Sequence, residues 1–332
     1  MFENKTILIT GGTGSLGQAL TKRLLELGAQ TIRIFSRNES KQIEMESAIK
    51  DDRLRFFLGD VRDLQRLRRA TEGVDFVFHT AALKHVPKIE YNPFEAIKTN
   101  VVGSQNVIDA SLDANVDKVV CVGTDKAVSP LNTYGATKLL AEKLFVSANN
   151  YFTSEKTKFF AVRYGNVLGS SGSVIPLFIN QIKSKQKITI TNSNMTRFSL
   201  TMPEALDFIL HATDIGKGSE IFIPKLRSYS VADVRSVLKE TLENTGEEEI
   251  GIRPGEKLHE VLINTDEMKY VWEVDNMYMI INPLYHKFFD DDIKTRHPNA
   301  KKMESMEVYS SESVEKISTA ELKQIILNSN LL

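Results

Sequence analysis

Thr124-Asp125-Lys126 sets a hydroxyl, an acid and an amine side by side, and shortly afterwards Tyr134 stands four residues before Lys138. On a helix, positions i and i+4 share one face, so the Tyr134 phenol and the Lys138 ammonium would be neighbours. An ammonium beside a phenol favours the phenolate and draws its pKa from about 10 toward neutrality. Such a phenolate can take the proton of a sugar hydroxyl while the same carbon loses hydride to a nicotinamide. None of the other eight tyrosines has a lysine four residues on. The spacing alone arises about once by chance in a chain of this size, so position must carry the argument. Position is favourable: "KVVCV" (Lys118–Val122) reads as a buried strand that runs straight into the acid and the amine. The carboxyl end of a parallel strand is where open α/β sheets bind ligands.

A redox pair alone would serve a dehydrogenase, an epimerase or a dehydratase. Asp125 and Lys126 separate these. Oxidation at C4 of a hexose acidifies the C5 hydrogen, because the carbanion delocalises into the new ketone. Eliminating water across C5–C6 then needs a base at C5 and an acid at the C6 hydroxyl, whereas epimerisation at C4 needs neither. The plainer alternative for an Asp-Lys dipeptide is a surface ion pair.

The elements that must hold these groups alternate in type. Strands are expected at Thr6–Thr10, Thr31–Ser36, Leu54–Gly59, Phe76–Thr80, Lys118–Val122 and Phe159–Tyr164, with amphipathic helices such as Leu16–Leu27 and Val101–Leu112 between them. This alternation predicts right-handed βαβ units in a parallel sheet. After Tyr164 the pattern changes to a Gly/Ser-rich loop, "GNVLGSSGSVIP", then a helix at Pro176–Lys183, a short "KITIT" run and a helix at Glu204–Thr213. "SEIFIPK" (Ser219–Lys225) is expected to add a strand to the sheet, and Ser318 with Glu321 has the spacing of a capping box. The charge-rich "FFDDDIKTRHPNAKKMES" reads most simply as a solvated stretch.

A glycine-rich turn, "TGGTGSLG", lies directly between the first strand and the first helix. Gly11, Gly14 and Gly17 keep Cβ atoms away from an approaching pyrophosphate, and the helix N-terminus offers its N–H groups to that anion. An NAD-specific site usually carries an acid after the second strand, whereas this chain has Ser36-Arg37-Asn38 with Lys41 beyond. A guanidinium suits a 2′-phosphate and an acid would repel it, so the expected cofactor is NADP. The cofactor site is expected to take in Gly11, Thr13, Gly14, Ser15, Leu16, Gly17, Ser36, Arg37, Lys41, Asp60, Val61, Ala81, Ala82, Lys84, Tyr134 and Lys138, with Asp60 accepting from the adenine amine. The fold class is α/β, a Rossmann-type doubly wound parallel sheet with a smaller α+β part. Residues 1–167 with 200–225 form the NADP-binding domain, and 168–199 with 226–332 the substrate-binding part.

The runs "GTDKAVSPLNTYGATK", "TGGTGSLG", "GDVRD", "AALKHVP", "VRYGNVLGS", "MTRF" and "RPGEKLHE" together closely resemble the inverting UDP-N-acetylglucosamine 4,6-dehydratases. The likeness is best to the soluble type that opens pseudaminic acid biosynthesis, within the extended short-chain dehydrogenase/reductase superfamily. It covers nearly the whole chain and is weakest over residues 287–318. Retaining relatives have Thr-Asp-Glu where this chain has Thr124-Asp125-Lys126, and some inverting ones have methionine at the place of Tyr134. The resemblance implies Tyr134 as base at the C4 hydroxyl, Lys126 as base at C5 and Asp125 as acid at the C6 hydroxyl. It further implies that Thr124 donates to the C4 oxygen and that Lys138 holds the cofactor ribose and tunes Tyr134. Hydride returns to C6, so a tightly bound NADP is recycled. Protonation of C5 from the opposite face then gives UDP-2-acetamido-2,6-dideoxy-beta-L-arabino-hex-4-ulose. As a base near neutral pH, Lys126 needs a pKa below the ordinary value of about 10.4. Burial would lower it and the Asp125 carboxylate would oppose that, so the two should titrate as a pair.

For the UDP-sugar, Asn166 is expected at a phosphate or the sugar, Arg197 and Arg253 at phosphate, Glu256 at the uridine ribose, Thr189 and Met195 along the base, and Lys84 between sugar and cofactor. A formal net charge of −1 gives no reason to expect nucleic acid or an anionic membrane as partner. The single cysteine, Cys121, excludes an internal disulfide and fits a reducing cytoplasm. No 18-residue apolar run suggests a membrane span, and His85, His211 and His259 have no metal-ligand spacing. The family implies a homo-oligomer, with a hexamer as one form. Two other readings stay open: a UDP-hexose 4-epimerase, which leaves Asp125-Lys126 unexplained, and a non-catalytic NADP-sensing protein, which has no need of Tyr134 and Lys138.

Overall fold

The computed structural model describes residues 1–150, 156–169, 173–282, 290–304 and 307–328. Six strands, β1 (Thr6–Thr10), β2 (Thr31–Ser36), β3 (Leu54–Leu58), β4 (Phe76–His79), β5 (Lys118–Val122) and β6 (Lys158–Val162), pair in parallel in the order 3-2-1-4-5-6. Helices cover both faces, which is why the strands are runs of β-branched and aromatic residues rather than alternating ones. Ile7 and Ile9 of β1 point into one core with Leu20, Leu24 and Ile209; Leu8 points into the other with Val77, Val119 and Phe145. All six of these neighbours and the three β1 side chains are fully excluded from solvent, so the centre of the sheet is a rigid floor.

Glu220–Pro224 extends the sheet in parallel beside β6, as its sequence suggests. Beyond it the sheet continues antiparallel, through Met277–Ile281, Val271–Val274 and Lys301–Lys302. The sheet therefore draws on residues from both expected parts of the chain. Every residue of Glu220–Pro224 is buried, so that strand needs a covering neighbour on its outer side. A third apolar cluster, including Phe178, Ile188, Ile190, Met195, Val234 and Leu322, forms the smaller lobe.

The charge-rich stretch departs from its sequence reading. Asp290–Arg296 is helical, Ile293 is buried, and Arg296 Nη2 and His297 Nε2 lie 3.2 and 3.1 Å from Glu220 Oε1. A carboxylate at the start of a buried strand demands counter-groups, and these residues supply them. Phe288, Phe289 and Ser305 of that stretch, and residues 170–172 of the Gly/Ser loop, lie outside the described residues. Among the described residues no helix is long and apolar enough to cross a membrane.

Candidate active site

Strand order reverses between β1 and β4, and a crevice opens at their carboxyl ends. Gly11 holds φ at 72°, and a Cβ there would stand 2.8 Å from the Ala81 backbone. Only glycine lets the two strand ends come this close. A cavity of about 270 Å³ follows, lined by Gly11, Thr13, Gly14, Ser36, Arg37, Lys41, Val61, Ala81 and Ala82. Asn38, Gly59 and Thr99 also line it and were not expected from the sequence. Ser15, Leu16 and Gly17 form the first turn of the helix Ser15–Glu26 that begins there.

Asn38 Oδ1 accepts from Lys41 N at 2.9 Å, which starts the next helix and fixes Lys41 near Arg37. Both cations border the cavity, and half of the Arg37 side chain is exposed. Asp60 is held by Arg62 at 2.7 and 2.9 Å, with Arg37 at 3.6 Å. Burial works to raise the Asp60 carboxyl, but the hydrogen bonds and charge of Arg62 outweigh it and keep it below the usual carboxylate range. A dinucleotide fits this crevice: the pyrophosphate approach is free of Cβ atoms, and the far end is cationic.

The second half of the site grows from the end of β5. Gly123 N and Asp125 N donate to Val162 O and Tyr164 O, at 2.6 and 3.0 Å, tying the turn to the end of β6. Thr124 caps a single 3-10 turn, Asp125–Ala127, and its hydroxyl donates to Asp125 Oδ1 at 2.9 Å. Lys126 Nζ donates to Asp125 Oδ1 at 3.0 Å and to Asn166 Oδ1 at 3.2 Å. Glu260 Oε1 lies 3.5 Å from the same ammonium and 3.6 Å from Arg197 Nε. Asp125 and Glu260 are almost wholly buried.

These carboxylates overturn the expectation that the pKa of Lys126 falls. Burial does pull it down, but the charges of Asp125 and Glu260, with the Asp125 hydrogen bond, outweigh burial and the opposing Arg197. The ammonium is held above the ordinary lysine range. The sequence reading weighed Asp125 alone, and Glu260 is the second counter-charge.

The helix Thr133–Ala148 packs directly on this turn. A Cβ on Gly135 would lie 2.2 Å from Lys126 O, so a larger residue would push the helix away. Asn132 caps the helix by accepting from Gly135 N at 2.8 Å and also donates to Gly255 O at 2.8 Å. Lys138 is buried and donates to Val122 O at 2.6 Å, at the end of β5. Tyr134 is half-buried beside Tyr164, whose phenol is pushed well above its ordinary range by burial and by that neighbour. Asn100, in a π-helical turn at Ile97–Val102, hydrogen-bonds Leu83 N, Leu83 O and Thr137 Oγ1 at 2.8–3.0 Å. That buried amide joins the loop after β4 to the Tyr134 helix.

The structure thus brings Thr124, Asp125, Lys126, Asn166 and Arg197 together. Lys84 is exposed on the loop after β4. Met195 is buried in the third cluster, and Thr189 Oγ1 accepts from Gln181 at 2.9 Å. Arg253 and Glu256 pair with one another at 3.8 Å, on the loop that Asn132 holds through Gly255. Glu260 and Lys257, from the same "RPGEKLHE" run, and Asn100 join Asn38, Gly59 and Thr99 as site residues that the sequence reading missed. Lys257 donates to Val128 O, and its pKa is lowered by burial. Among the described residues no cluster of three His, Cys, Asp or Glu is placed to hold a metal ion.

The chain matches the polysaccharide biosynthesis protein family over residues 7–282. A "UDP-N-acetylglucosamine 4,6-dehydratase (inverting)" of Campylobacter jejuni is 48% identical, over 88% of this chain and 86% of its own. A "UDP-glucose 4-epimerase" of Rickettsia felis is 40% identical, over 99% of this chain and 97% of its own. The X-ray structure of Pen from Bacillus thuringiensis has a TM-score of 0.91 at 43% identity, covering 100% of each chain.

Proposed function

Because this chain belongs to the polysaccharide biosynthesis protein family, we propose that it is a C5-inverting UDP-N-acetylglucosamine 4,6-dehydratase, an NADP-dependent hydro-lyase. The observation that carries the reading is the Asp125–Lys126 pair, 3.0 Å apart at the end of β5 and packed under the helix of Tyr134 and Lys138. Gly11, Thr13, Gly14, Arg37 and Lys41 would hold an NADP in the β1/β4 crevice, where it would supply reversible hydride transfer from C4 and back to C6. Tyr134 takes the C4 hydroxyl proton, and Lys138 orients the ribose beside it. Thr124, whose hydroxyl donates to Asp125 Oδ1 in the free site, would turn that proton to the C4 oxygen when the sugar binds.

Lys126 and Asp125 divide the elimination, and their contact supplies both working forms at once. One proton passing from the ammonium to Asp125 over 3.0 Å leaves a free amine and a carboxylic acid, with no proton drawn from solvent. The amine then takes the C5 proton while the acid protonates the departing C6 oxygen as water. Both groups end as they began. A raised Lys126 pKa is therefore compatible with base catalysis. Asn166 faces the sugar or a phosphate, Arg197 and Arg253 the diphosphate, and Glu256, Thr189 and Met195 serve the nucleoside. The proposal extends to a cytoplasmic homo-oligomer that supplies pseudaminic acid biosynthesis.

The near-complete coverage of the Rickettsia felis relative favours one other reading, a 4-epimerase. NMR of UDP-N-acetylglucosamine incubated with the protein in deuterated water decides between them. The expected product is a 6-deoxy-4-ketose carrying deuterium at C5. A 4-epimer with protium at C5 would establish the epimerase, and absence of turnover would reject both.

Arg37 and Lys41 carry the cofactor preference. Arg37→Asp should reverse or erase the preference for NADP over NAD, since a carboxylate would then face the 2′-phosphate. Fluorescence titration with both dinucleotides checks this. Equal affinities in the unaltered protein would remove the argument.

A further inference from the structure

Glu260 sits where the proposed elimination needs no second carboxylate. It is 3% exposed, its Oε1 lies between Lys126 and Arg197, and its buried Oε2 has no hydrogen-bond partner among the described residues. Burying such a group is costly unless its charge is used. Its backbone is pinned on both sides: Glu260 N donates to Ser311 Oγ, and Ser311 N donates to Glu260 O, at 2.9 and 2.8 Å. The carboxylate is therefore held against the ammonium by the fold.

We propose that Glu260 is a positioning residue acting through Lys126: with Asp125 it encloses the ammonium and keeps one proton inside the buried cluster, available to Asp125 when the C5 step begins. This rests on the dehydratase reading for the step it serves. The cluster contains Asp125, Lys126, Glu260 and Arg197, two charges of each sign. Lys257 and Tyr229 also face it, and His259 turns instead to Thr196 Oγ1 and Glu312. Without Glu260 the ammonium would face one carboxylate and two cations, and would lose its proton to solvent more readily. Asp125 would then have no proton to receive, and the acid needed at the C6 oxygen would be missing. The proton budget balances only while that one proton stays inside: Lys126 gives it to Asp125, Asp125 gives it to the leaving oxygen, and Lys126 regains one from C5.

The test measures Lys126 directly, without substrate. Trace acetylation at pH 8, read by peptide mass spectrometry, reports the free-amine fraction of each lysine. Removing an opposite charge at this distance typically lowers a pKa by about one to three units. Glu260→Gln should therefore label Lys126 about tenfold or more faster, with buried Lys138 unchanged as the control for intact folding. Unchanged Lys126 labelling would overturn the proposal. If Glu260→Gln unfolds and Lys138 labelling rises as well, Glu260→Asp decides. It retains the charge at greater distance, so a smaller rise at Lys126 is expected, and no rise overturns the proposal. With substrate, the alkaline limb of deuterium entry at C5 should move to lower pH in Glu260→Gln. A profile reduced uniformly at every pH would mark a purely structural role and also overturn the proposal. Failure of the unaltered protein to exchange C5 would instead reject the dehydratase reading.

Discussion

Lys126→Met is expected to abolish dehydration and to stop solvent deuterium from entering C5. Methionine keeps much of the aliphatic bulk but cannot take a proton, and the loss of a general base typically costs about 10²–10⁴ in rate. Oxidation at C4 precedes the role of Lys126, so the variant should still reduce its bound nicotinamide and hold it reduced. This separation of the two steps is the informative part of the result. The substitution also leaves Asp125 and Glu260 without their shared counter-charge, so cofactor binding must be measured alongside to show that the site is intact. Deuterium entering C5 at the normal rate would mean that another residue is the base.

Tyr134→Phe should have an effect of similar size at the opposite end of the sequence of events. Phenylalanine keeps the half-buried ring and removes only the hydroxyl, so cofactor affinity should change little. Turnover should fall by about two to four orders of magnitude, because the acceptor for the C4 proton is gone. Unlike Lys126→Met, this variant should not accumulate reduced cofactor. Stopped-flow absorbance after mixing with UDP-N-acetylglucosamine distinguishes the two, and near-normal turnover would remove Tyr134 from the mechanism.

The parallel sheet was legible in the sequence because its signals are local. β1, β2 and β5 have the expected limits, and the others differ by one or two residues at their ends. The glycine turn and the Tyr134/Lys138 spacing were readable for the same reason: each is a short pattern whose geometry follows from one element. Glu260 was not readable. Its role depends on a contact with Lys126 that only the folded chain creates, and its own neighbourhood, "KLHE", looks like an exposed charged run. The stretch from residue 290 to 297 misled in the same way. Arg296 and His297 face a buried carboxylate, Glu220, while Asp291, Asp292 and Lys294 are exposed as the composition suggests. Asn100 was hidden because a π-helical turn, unlike a regular helix, leaves no periodic trace in sequence.

Arg163, at the end of β6, is fully buried and pairs with Glu142 of the Tyr134 helix at 2.6 Å and with Glu267 at 2.8 Å. Glu267 and the Met277–Ile281 strand both come from the C-terminal third of the chain. The nucleotide-binding half is consequently not a transplantable module. A chain ended at residue 225 would leave a buried guanidinium with half its counter-charge and turn the apolar strand Glu220–Pro224 into an open edge, an invitation to self-association. Attempts to graft this sheet onto another specificity lobe would have to carry Glu267 and the covering hairpin with it.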